Sequence, residues 1–228
     1  MHIPDGFFDA PTSIGAAAVA ATAVGISLKK SKGQMQSEVA PVAGLTAVFI
    51  FAAQMINFPV ALGTSGHLIG GALAAILIGP YAAILAMTVV LAVQALVFAD
   101  GGLSALGLNI TNMGVIAAVT GYLVFVGLIK VLPKTRLGIL IASGIAAFVS
   151  VPMAAIGFVI EYAIGGTATY ELADVLAAVT GVHVLIGLGE AAITVLTVGG
   201  VLTARADLVG SAKKYLPKAQ LVVNEARV

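Results

Sequence analysis

Cysteine is absent from this chain, and charge is nearly so: only 9% of its 228 residues are Asp, Glu, Lys or Arg. Without cysteine there is no disulfide, no thiolate metal site and no thiol nucleophile. Charge this sparse, against about 25% in ordinary soluble domains, leaves too little polar surface to keep a folded core in water. Eleven basic residues against ten acidic ones give a net charge of +1. With no basic patch beyond a few short clusters, nucleic acid is excluded as a partner. Three further devices are missing: the GxxxxGK(S/T) loop that cradles ATP phosphates, the HExxH zinc helix and the GxSxG nucleophile elbow. The chain has no catalytic motif of its own, so any ATP-driven step must be carried by another polypeptide. The opening residues, MHIPDGFFDAPTS, contain no basic residue ahead of the first apolar run. The charged start of a signal peptide is therefore missing, and Met1 is expected to be the mature N-terminus.

What is present is apolar. Hydrophobic residues make up 60% of the chain and its mean hydropathy is +1.12, which makes the lipid bilayer its solvent. Several runs are long enough to cross a hydrocarbon layer of about 30 Å. The runs predict an all-α, polytopic membrane protein with seven transmembrane helices, near 13–28, 39–57, 67–78, 80–97, 109–129, 137–163 and 174–203. A single helix over 67–97 would reach roughly 46 Å at about 1.5 Å per residue, too long for one ordinary span. Gly79-Pro80 is the natural break, since proline starts helices and disrupts their interiors.

The basic residues test this count independently. They form three clusters: Lys29, Lys30 and Lys32; Lys130, Lys134 and Arg136; and Arg205, Lys213, Lys214, Lys218 and Arg227. Two passes between 67 and 97 put all three on one side, as the positive-inside rule requires, whereas one pass opposes the first to the others. The N-terminus is then outside, the C-terminus cytoplasmic, and Asp5, Asp9, Asp100, Glu171 and Asp174 lie on the outer face. The division expected is a membrane domain over 1–205 and a cytoplasmic polar tail over 206–228. Ala16 and Ala20 lie in a small-residue run in the first span. Such stripes let helices approach closely, either inside the bundle or against a separate membrane subunit.

Two of the three histidines fall on the outer side. With His2 next to the chain start, the Met1 α-amine, the His2 backbone amide and His2 Nδ1 can close five- and six-membered chelate rings in one plane. Planar nitrogen sets suit Ni(II) or Cu(II), while imidazole also serves zinc and iron. A fourth donor is needed. His67 ends the loop FPVALGTSG from Phe58 to Gly66, and Thr64-Ser65-Gly66 reads as a cap placing His67 at a helix start. Taken singly, each histidine also fits an interfacial or hydrogen-bonded role, and spacing alone leaves that open. His183 and Glu190, seven residues apart in the last span, face one way. They read as a hydrogen-bonded network locking that helix, or as a metal or proton site. Asn109 and Asn112, after the Asp100–Gly102 turn, read as polar contacts at a helix start.

Four stretches carry a resemblance: MHIPDGFFDAPTS, GTSGHLIGGALAAILIGPYAA, FADGGLSALGLNITNMG and HVLIGLGEAAIT. The sequence resembles the substrate-capture (S) component of nickel/cobalt energy-coupling factor transporters, the CbiM/NikM family, from Met1 to about Arg205. The resemblance implies a seven-helix bundle in a prokaryotic cytoplasmic membrane that binds Ni(II) or Co(II) as cargo. It implies ligation through four nitrogens of Met1, His2 and His67, with His183, Glu190 and Asn109 around the ligands. The MHIPDG start is closer to the nickel branch. The implied partners are a transmembrane coupling (T) subunit and two cytoplasmic ATPases, with a small accessory membrane subunit left open. The alternative class is an autonomous proton-coupled secondary transporter, with His183 and Glu190 as the relay. An intramembrane metalloenzyme would need an open coordination position, which four planar nitrogens do not leave.

Overall fold

The computed structural model describes residues 1–32, 39–59 and 65–216. Seven helical segments run through these residues: α1 Ala10–Ser31, α2 Val39–Gln54, α3 Gly71–Ile78, α4 Pro80–Val97, α5 Leu106–Val131, α6 Arg136–Gly165 and α7 Leu172–Ala204. Five of them, all but α2 and α3, are long and apolar enough to cross a bilayer. Local chemistry sets several ends. Asp9 caps α1 by accepting from Thr12 N at 2.9 Å, with proline in the first turn and Lys29 and Lys30 complementing the dipole in the last. Thr135 caps α6 by accepting from Gly138 N at 3.2 Å.

The break at Gly79-Pro80 is real, and it makes a hairpin. Met1 touches His67, just ahead of α3, while His2 touches Gln94 and Asp100, at the end of α4. The start of α3 and the end of α4 therefore share one end of the bundle. Gly79 turns the chain at φ 82°, and Pro80 opens α4 where no amide donor is needed. All eight residues of α3 are buried. At about 12 Å it is a half-length rod in the centre of the molecule.

The start of this rod corrects one expectation. Ser65-Gly66 is a strand, β2, paired antiparallel with β1 (Phe58–Pro59), rather than part of a helix cap; Thr64 lies outside the described residues. His67–Gly70 then runs on without helical structure, and α3 begins only at Gly71. His67 thus stands on a non-helical segment, four residues ahead of the first residue of the helix. A second correction concerns α1. Ala16 and Ala20 are only 8% and 3% exposed. Their face packs against α4 and α5, where Thr111 Oγ1 donates to Ala16 O at 3.2 Å. Small side chains here seat α1 on its own bundle, so this stripe is not an open docking face.

Two helices change register at the end that holds Met1: α5 widens to π-helix over Ile110–Ile116 and α7 over Leu176–Thr180. Such turns recur at functional sites. The described basic residues gather at the opposite end, where Arg136 Nη2 donates to Thr203 Oγ1 at 2.5 Å.

That opposite end is closed by the chain after α7. Pro80 has no N–H for the Ile76 carbonyl, so Ser211 N supplies one at 3.1 Å; Gly210 N serves Leu77 O at 2.8 Å and Ser211 Oγ serves Ala75 O at 2.7 Å. Val209 and Ala212 are fully buried beside them. Residues 206–216 therefore cap α3, while the tail from Pro217 lies outside the described residues. Truncation after Arg205 leaves at least two buried carbonyls unpaired, at about 1–3 kcal/mol each. The expected result is a fall in the thermal unfolding midpoint of the detergent-solubilised protein of about 5 °C or more. An unchanged midpoint would show that the cap contributes nothing.

Candidate metal centre

Residues 1–9 fold back into the bundle instead of trailing from it: Met1, His2, Ile3 and Phe8 are all buried. The backbone is held at each step. Ile3 N donates to Asn109 Oδ1 at 2.9 Å, and Ile3 O accepts from Gly102 N at 2.8 Å. Asp5 Oδ1 accepts from Ser104 N and Oγ at 2.7 and 2.6 Å. Thr167 Oγ1 donates to Gly6 O at 2.7 Å, and Asp9 N to Gly165 O at 2.8 Å. Phe8 meets Phe158 edge-on, ring centroids 5.6 Å apart. Gly102 is required because a Cβ there would run into the Pro4–Asp5 backbone. The terminus is thus placed by the turn after α4, the start of α5 and the end of α6.

At the bottom of this groove the Met1 amine meets His67 Nε2 directly, and the His2 and His67 rings stack with centroids 4.3 Å apart. The two imidazoles are held in opposite tautomers. His67 Nδ1 donates to Leu68 O at 2.7 Å, which leaves the lone pair on Nε2. His2 Nε2 donates to Gln94 Oε1 at 3.0 Å, which leaves the lone pair on Nδ1, an atom without a hydrogen-bond donor. His2 Nδ1 is the nitrogen named by the chelate rings read from the sequence, and His67 Nε2 is left bare against the Met1 amine. The His2 amide donates to Ser65 Oγ at 3.3 Å. Burial holds the Met1 amine well below its ordinary value of 8.0. Burial, with the Met1 amine beside it, lowers His2 to about 4. Burial thus favours the unprotonated form of both groups, the form a metal binds.

Among the described residues no three His, Cys, Asp or Glu side chains come together to hold an ion. What the fold does bring together is a chain end and two stacked imidazoles, along with the His2 amide, nitrogen donors of the kind that suit a planar divalent ion.

Around it, the expected supporting residues divide. Asn109 grips Ile3 and so fixes the chelating terminus. Glu190 does not meet His183: its two oxygens accept from Ile69 N at 2.7 Å and Gly70 N at 2.9 Å. Gln54 Nε2 holds the Ile69 carbonyl at 2.7 Å. Gly70 is left-handed at φ 82°, and a Cβ on it would lie 2.9 Å from the Ile50 side chain. Together they clamp the segment that carries His67. His183, two turns from Glu190 on the same side of α7, donates from Nδ1 to Val179 O at 2.7 Å and keeps a buried, unpartnered Nε2. Asn112 sits apart from the centre and donates to Glu161 Oε2 at 2.5 Å.

Sequence reasoning missed Gln54, Gln94, Ser65 and the position of Asp100. Two of these left a signal: a glutamine near the end of an apolar span is costly unless it has a buried partner.

The profile of the family described as the cobalt uptake substrate-specific transmembrane region, CbiM, matches residues 2–208. The chain is 40% identical over 209 residues to a protein of Archaeoglobus fulgidus named as a fused nickel transport protein, NikMN, covering 92% of this chain and 68% of that one. It is 37% identical to a protein of Haloquadratum walsbyi named as a metal transport protein, covering 92% of this chain and 93% of that one. Two crystal structures of transition metal transporters superpose with a TM-score of 0.83. They are 31% and 29% identical to this chain, covering 90% and 94% of it and 99% and 97% of their own length.

Proposed function

The chain belongs to the CbiM family of nickel/cobalt uptake proteins, and from that premise we propose that it captures Ni(II), with Co(II) as second cargo, at the extracytoplasmic face. In this reading it is the substrate-binding S component of an ATP-driven energy-coupling factor importer. One observation carries the proposal: Gln94 and Leu68 hold the two stacked imidazoles so that His2 Nδ1 and His67 Nε2 are left bare, with His67 Nε2 against the buried Met1 amine. The cargo takes the amine, His2 Nδ1 and His67 Nε2 as neutral donors, and the His2 nitrogen as an amidate that has given up its proton. A plane of four strong-field nitrogens favours d⁸ Ni(II), which gains most from that geometry.

The gathering of basic residues at the far end supports an N-terminus outside and a C-terminus in the cytoplasm. The chain has no phosphate loop, so a T subunit and two ATPases supply the work, with or without a small accessory membrane subunit. The proton-coupled alternative draws no support from the geometry, because Glu190 is tied to two backbone amides and His183 to Val179 O.

The test uses protein with a native N-terminus: metal content, absorption spectrum and magnetism after nickel loading. A yellow, diamagnetic one-to-one complex is expected, and a tetrahedral zinc site would overturn the assignment. Uptake into vesicles with and without the ATPases then separates the importer from an autonomous transporter.

A further inference from the structure

We propose that the Asp100 carboxylate is the fixed counter-charge of the metal centre, standing outside the four-nitrogen set and making the loaded site electrically neutral. The proposal rests on the capture reading above. Asp100 Oδ1 lies 3.2 Å from His2 Nδ1, with side chains 18% and 3% exposed. Because His2 spends its one N–H on Gln94, its bare Nδ1 lies beside a carboxylate oxygen without a hydrogen bond between them. That juxtaposition is unfavourable in an empty site and favourable beside a cation.

Charge balance explains why a carboxylate belongs there. A divalent ion contributes +2, the amidate −1 and the two imidazoles and the amine nothing, so the bare chelate would bury +1. An unpaired buried charge is costly, and Asp100 cancels it. The other carboxylate in range, Glu190, is engaged by the amides of Ile69 and Gly70.

The backbone is bent to deliver Asp100. Ala99 has φ 53°, rare for a residue with a Cβ, and Gly101 has φ 92°. A Cβ on Gly101 would lie 3.1 Å from Asn109 Nδ2 and 3.2 Å from His2 Cδ2. Asp100 N is anchored on Gln94 O at 3.0 Å, so the residue that sets the His2 tautomer also holds the counter-charge. Strain held at such a position accords with a functional demand.

The experiment compares the native-terminus protein with Asp100→Asn and Asp100→Glu. It measures nickel affinity by competition with a chromophoric chelator, the absorption bands of the loaded protein, and the unfolding midpoint without metal. Asp100→Asn is expected to bind nickel about 10–100-fold more weakly, with unshifted bands and an unchanged metal-free midpoint, while Asp100→Glu recovers most of the affinity. Wild-type affinity in Asp100→Asn overturns the proposal, and so does a change of band positions, which would make Asp100 a ligand. A lowered metal-free midpoint with equal losses in both variants also overturns it, in favour of a structural role. Should Asp100→Asn not fold, Asp100→Ser is read on the same scale. Failure of the wild-type protein itself to bind nickel would instead sink the capture reading.

Discussion

Adding a single residue ahead of Met1 is expected to abolish nickel binding, a loss larger than the roughly 100-fold limit typical of residues that only orient a ligand. The extension turns the amine into an amide, moves His2 one place along the chain and breaks the five-membered ring. It also has nowhere to go: Met1 is 1% exposed, and its nitrogen is in contact with His67. The same extension at the C-terminus leaves the centre untouched. Nickel content after gel filtration, for the native, N-extended and C-extended proteins, decides it. Undiminished nickel in the N-extended protein would remove the terminal amine from the ligand set.

Replacing His67 with alanine is expected to be equally severe, whereas His183→Ala costs within about 10–100-fold. His67 Nε2 is in contact with the Met1 amine, and its lone pair is oriented by Leu68 O. His183 is buried, but its ring is tied to Val179 O, and its Nε2 makes no hydrogen bond among the described residues. Titration of both variants with nickel, followed by absorption, gives the two losses side by side. Nickel retained by His67→Ala and lost by His183→Ala would reverse the assignment.

The helical segments were legible because the bilayer demands long apolar runs, and the 80–97 span was read to the residue because glycine and proline mark its start. The start of α3 was misread for a physical reason. Ser65-Gly66 looks like a local cap, but it pairs as a strand, and the amides just ahead of α3, those of Ile69 and Gly70, are taken by a carboxylate far along the chain. No local pattern encodes that. The stripe around Ala16 was legible as a close-packing face, yet alanine is equally suited to a neighbouring helix of the same chain or of another, so the sequence could not say which side it faced. At the centre, the chelate at Met1 and His2 follows from bond counting alone. The choice of tautomer depends on Gln94 and Leu68, and Asp100 reads from the sequence only as an outer-face acid. Its position beside His2 is a property of the turn through Ala99 and Gly101.

The buried N-terminus also constrains the order in which the molecule is made. The groove that receives Met1 is assembled from His67, Gln94, Asn109 and Gly165, all synthesised after it. The terminus must therefore wait, unseated, until α6 is in place, and contacts of such long sequence separation form late. During that interval its amine is open to processing enzymes; once seated, it is out of their reach. Any acyl group left on Met1 at that moment would block the centre as an added residue does, so a newly made chain becomes competent for metal only if its first residue is finished before its last helices close over it.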